Sequence, residues 1–178
     1  MVSWRLPEES IVPLGASAVA QRMPARLHSA DREELVMGTA VRPYHAPDDF
    51  DAVGCFLTRT YDPNALHRNW LQPRWEYMHY HPLLQQRRLD LATCGVWEDS
   101  GQIVGVAHFE HRTGVNYIEV DPRWAVLKTE MIDYAEVHLW GEFKDGKNVY
   151  IHIDDRDEEL QAVAAKRGYE SKPDLAER

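Results

Sequence analysis

The chain has 178 residues, with 20 Lys and Arg against 29 Asp and Glu, a net charge of −9 with histidine neutral. That acidity, without a basic cluster, excludes a protein that grips phosphate backbones, while 44% hydrophobic residues suffice for a core. No apolar run reaches bilayer length, and Cys55 and Cys94 are the only cysteines, which argues against a membrane span and a disulfide framework. The start is acidic and broken by Pro7, unlike a secretory signal. A soluble, cytoplasmic α/β or α+β protein is the expectation.

Residues 1–38 read as an N-terminal extension, with Pro7, Pro13 and Pro24, a small-residue stretch at 15–20, and at most one short helix over 29–36. The rest, 39–178, reads as one domain. Residues 39–44 suit a short strand whose Pro43 marks an edge or an end. Acids at 48–49 then open a helix with Phe50, Val53, Phe56 and Leu57 at helical spacing, broken at Tyr61-Asp62-Pro63-Asn64. Cys55 on that helix and Cys94 read as core residues. A second helix, 73–80, opens on Pro73 and stops before Pro82.

Strands are expected over 91–98, 102–110 and 115–120, joined by Asp99-Ser100-Gly101 and His111-Arg112-Thr113-Gly114, hence antiparallel. Leu127, Met131, Tyr134, Ala135 and His138 share one helical face. A turn at Asp145-Gly146 leads to a strand over 149–153. Asp154-Asp155 would cap a last helix that stops at Gly168. The order is β-α-α-β-β-β-α-β-α, with one crossover helix that makes its flanking strands parallel.

This layout resembles the GNAT-type N-acetyltransferase superfamily from Thr39 to Tyr169. Val41-Arg42-Pro43-Tyr44 resembles its opening strand, and the run from Val96 to Ala107, with Asp99-Ser100-Gly101-Gln102-Ile103-Val104-Gly105, its hairpin. Val120-Asp121-Pro122 resembles the end of its fourth strand, and Lys166-Arg167-Gly168-Tyr169 the close of its last helix. The resemblance implies an acyl-CoA N-acyltransferase fold: α/β, a central mixed, mostly antiparallel sheet flanked by helices. It also implies acetyl-CoA as acyl donor and a small-molecule amine as acceptor, with no metal. Pro73-Arg74-Trp75-Glu76-Tyr77-Met78 and 130–136 resemble the first, degenerate half of larger proteins with two such domains in tandem.

The sequence departs from that pattern in three places. The family's loop after the fourth strand is glycine-rich, so that backbone N–H groups approach the pyrophosphate. Here Asp121-Pro122-Arg123-Trp124-Ala125-Val126-Leu127-Lys128 has no glycine, Pro122 removes a donor and Trp124 would crowd a phosphate. Where the family often has a proton-donating tyrosine, four residues before Gly168, this chain has Ala164. After Tyr169 there is room for one strand, so the final strand is missing or supplied from elsewhere. A second copy or a second such domain completing the sheet is then expected. A catalytically degenerate binding or interaction module is the alternative to an enzyme.

If acetyl-CoA binds, the resemblance places its pyrophosphate against Val120, Pro122, Arg123, Trp124, Ala125 and Lys128. A carboxylate on the 115–120 strand or its hairpin partner, Glu119 or Glu110, would take the ammonium proton. Alternation turns Glu119 away from the face of Ile118 and Val120; a solvated strand carboxylate is the plainer reading. Arg74, Trp75 and Tyr77, with Trp70 and Tyr80, stand where the family builds its acceptor wall, although a helix packing its aromatics inward has the same pattern. His79 and His81, and His108, Glu110 and His111, lack the spacing of a helical zinc pair.

Overall fold

The computed structural model describes residues 2–6, 38–64, 70–82, 90–144 and 146–172. The helix expected over 29–36, the stretch at 15–20 and Asp145 of the expected turn lie outside the described residues. The chain forms β1 (Val2–Leu6), β2 (Thr39–Pro43), α1 (Phe50–Thr60), α2 (Gln72–Tyr80), β3 (Gly95–Asp99), β4 (Gln102–Phe109) and β5 (Val115–Val120). There follow α3 (Lys128–His138), β6 (Gly141–Phe143), β7 (Gly146–Ile153), α4 (Glu158–Lys166) and β8 (Glu170–Lys172). The strand order is β2-β3-β4-β5-β7-β1-β8, with β6 beside β7. It is an α/β fold with a mixed, mostly antiparallel sheet flanked by four helices.

Local chemistry explains most elements. Ser100 and Gly101 both take positive φ, 51° and 77°, which sets the tight turn that pairs Asp99 with Gln102. In α1, Val53, Phe56 and Leu57 form a buried stripe. Cys55 falls off that stripe and is exposed, which corrects its reading as a core residue, whereas Cys94 is buried. The cap of α4 is Asp157, two residues beyond the expected pair, and its side chain accepts from the Leu160 N–H. Gly168, at φ 86°, ends that helix as expected.

The short strand β6 is an addition to the expected order, and two further sections differ from it. Residues 91–93 form a 3-10 turn instead of a strand, because the Asp90 carboxylate accepts from the Ala92 N–H and Thr93 Oγ1 bonds to the Asp90 carbonyl. Second, β1 comes from within the expected extension. It pairs antiparallel with β7, from Val2↔Ile153 to Leu6↔Val149, and with β8 from Ser3↔Lys172 to Arg5↔Glu170. One strand follows Tyr169, as expected, and β1 lies between it and β7.

The helices cover both faces of the sheet. Met131 of α3 packs over Gly105, while Trp75 of α2 packs on His108, three residues along β4 and therefore on the opposite face. The sheet is thus buried between α1 and α2 on one side and α3 on the other. Val106, Ile151, Met131 and Phe56 have no exposed surface. No helix among the described residues is long and apolar enough to cross a membrane.

Candidate functional site

Two consecutive strand pairings place three rings in one row. His108 of β4 stands opposite Tyr117 of β5, and Tyr117 opposite His152 of β7. Their rings stack, His108 on Tyr117 at 5.6 Å and 21°, Tyr117 on His152 at 4.7 Å and 17°. Ser3 of β1, almost wholly buried, extends the row beside His152. Trp70 closes over it, 4.2 Å from the Tyr117 ring and 4.7 Å from His108. The apolar surroundings push the His108 pKa down to about 3, so the ring is neutral, with Nδ1 directed at the Phe109 carbonyl.

Arg74 of α2 lies over Trp70, its guanidinium carbon 4.0 Å from the ring centre. It also grips Glu110 with two hydrogen bonds, Nε to Oε1 at 2.7 Å and Nη2 to Oε2 at 2.6 Å. Of the two expected bases, Glu110 thus has both oxygens occupied by a guanidinium and anchors Arg74. Of the expected acceptor wall, Arg74 and Trp75 meet this cluster. Tyr77 and Tyr80 instead stand exposed on α2, with the Tyr77 ring 4.4 Å from that of His81 and tilted by 34°.

Glu119 lies two residues past Tyr117, on the same face and opposite Val106. The β5–β7 ladder stops at Tyr117↔His152, so Ile118, Glu119 and Val120 run on paired with β4 alone. Glu119 stands where the two strands part company. The residue retains some surface, but its carboxyl is sunk in the protein, and burial pushes its pKa up to about 8. The Trp70 backbone N–H, and then the charges of Lys128 and Arg74, pull weakly the other way. Burial thus favours the protonated form of a carboxyl group that keeps partial exposure on the strand.

The stretch after β5 is a 3-10 turn, Pro122–Leu127, leading into α3. The Asp121 carboxylate accepts from the Arg123 N–H at 3.1 Å, the Asp121 carbonyl from the Trp124 N–H at 2.7 Å, and the Ala125 carbonyl from the Lys128 N–H. Those amides are thus already bonded. Trp124 is buried, while Ala125 and Val120 keep partial exposure and Pro122 is exposed. Arg123 doubles back on Asp121, with Nη2 at 2.8 Å from Oδ2, and Lys128 is paired with Asp157. Among the described residues no group of three or more His, Cys, Asp or Glu is arranged to hold a metal ion.

No protein-family model matches the chain, and no curated protein does. What the residues can do therefore rests on their geometry. Sequence patterning found Glu119, Arg74 and Trp75 but not His152, Tyr117 or Ser3. Alternation gives each of these a face, yet which strands lie side by side, and in what register, decides that they meet.

Proposed function

We propose that this chain transfers an acyl group from acetyl-CoA to an amine, with Glu119 as general base. The observation that carries the reading is the place of Glu119 where β5 and β7 separate, with burial pushing its carboxyl pKa up to about 8. The amine nitrogen attacks the thioester carbonyl carbon, the ammonium proton passes to the Glu119 carboxylate, and the carbon–sulfur bond breaks with its electron pair leaving on sulfur as the coenzyme A thiolate, which takes its proton from water. A base whose pKa lies near the operating pH combines sufficient basicity with a sufficient ionised fraction. The order of elements from Thr39 to Tyr169, which resembles the GNAT-type superfamily, supports the same reading, with Glu119 on the strand where that superfamily often places its base.

One observation favours a second reading, a degenerate domain that binds a ligand or partner without transfer. The Arg123 and Trp124 amides are engaged by Asp121, whose carboxylate would also repel a pyrophosphate. Titration calorimetry of the whole chain with acetyl-CoA separates the two. Micromolar binding, weakened by Arg123→Ala or Lys128→Ala, supports a cofactor seat rebuilt around these side chains. No heat up to millimolar acetyl-CoA overturns the transferase reading.

A further inference from the structure

Resting on the Glu119 site proposed above, we infer that the acceptor is a cationic amine bearing no carboxylate or phosphate. Among the described residues, the cations whose charge reaches the Glu119 carboxyl are Lys128 and then Arg74. Each is already committed to an acid of the protein: Arg74 to both oxygens of Glu110, and Lys128 to Asp157. Arg123, in the 3-10 turn that follows β5, is held in the same way by Asp121. An acid on the ligand would have to displace a protein carboxylate from its partner or remain beside it uncompensated, both costly.

The amine end meets the opposite situation. Glu119 takes a hydrogen bond from the Trp70 N–H and forms no ion pair among the described residues, so an ammonium group supplies the cation that its ionised form lacks. The chain's charge of −9 also draws cations toward it and repels anions. A neighbouring ammonium favours the ionised carboxylate, so binding at neutral pH releases a proton from Glu119.

Matched amines that differ by one carboxylate test this on the whole chain: phenethylamine against phenylalanine, and cadaverine against lysine, by titration calorimetry near pH 7. The member without the carboxylate is expected to bind at least about tenfold more tightly. Its heat should vary with buffer ionisation enthalpy as one released proton requires, and Glu119→Gln should abolish that variation. Glu110→Gln frees Arg74, and Asp157→Ser frees Lys128 while keeping a capping oxygen on α4; either folded variant should narrow the discrimination. Equal or tighter binding of the carboxylated members, or no binding within either pair, overturns the inference. So does discrimination that both folded variants leave unchanged. Selective amine binding without any acetyl-CoA binding would instead remove the transferase reading and leave the ligand class standing.

Discussion

Tyr117 and His152 face each other on the last rung of the only parallel pairing among the described strands, their rings 4.7 Å apart and 17° from parallel. Everything beyond that rung on β5 has lost its neighbour on the β7 side, and Glu119 is the chemically useful residue there. The stacked pair marks where sheet gives way to site.

Glu119 makes stability depend on pH with a definite sign. Its carboxyl has a pKa of about 8 in the folded chain against an ordinary value near 4.5, so between those values the folded state holds a proton that the unfolded state has released. Its stabilising contribution is full below about pH 4.5 and is lost as pH rises through 8. Urea midpoints should fall across that interval, and Glu119→Gln should flatten the fall. An unchanged profile in the variant would place the carboxyl in water.

His108 works in the opposite direction. Burial lowers its pKa from 6.5 to about 3, so its contribution is full above 6.5 and is lost as pH falls toward 3. Replacing it with phenylalanine, which fits the stacked row without a titrating group, should reduce the loss of stability in acid. Proton-coupled NMR of the ring should show a neutral imidazole at pH 5. A protonated ring at that pH would contradict the burial of the row.

The strand β1 holds the far side of the sheet. Removing residues 1–6 would uncover the edge of β7 along Val149, Ile151 and Ile153, all buried, and strip β8 of its strand neighbour. Amide exchange protection over 149–153 should collapse in that deletion while α1 and β3 remain protected. Full protection of 149–153 would show that β1 is dispensable.

Gly141 is a packing constraint that composition does not reveal. A Cβ there would come 2.1 Å from the Thr113 carbonyl oxygen, so the β4–β5 turn and β6 meet backbone to backbone. Gly141→Ala should cost about 1–3 kcal/mol by chemical denaturation, as expected for overpacking at a rigid contact. A neutral substitution would mean that the turn can move away.

The contrast between β1 and α1 shows how much was legible in the sequence. The helix α1 announces itself through Phe50, Val53, Phe56 and Leu57, because its period is a property of eleven adjacent residues. The crossover around α3 likewise foretold the parallel β5–β7 pair. By contrast, β1 is five residues whose partners lie at the other end of the chain, Val2 opposite Ile153, so no local pattern marks it. The site divides in the same way. Alternation set Glu119 apart from Ile118 and Val120, whereas its buried carboxyl and the ring row depend on α2 and on strand register. Asp121 turning back on Arg123 and the Trp124 amide is a local capping geometry, and a loop without glycine gave no sign of it.

The most direct measurement is thiol release from acetyl-CoA with phenethylamine as acceptor, followed from pH 6 to 9.5 for the native chain and Glu119→Gln. The native kcat/KM should rise with pH and level off past about 8, and the variant should lose about 100-fold or more together with that limb of the profile. Thiol release no faster than without protein, or a variant with the native rate and profile, would contradict acyl transfer through Glu119.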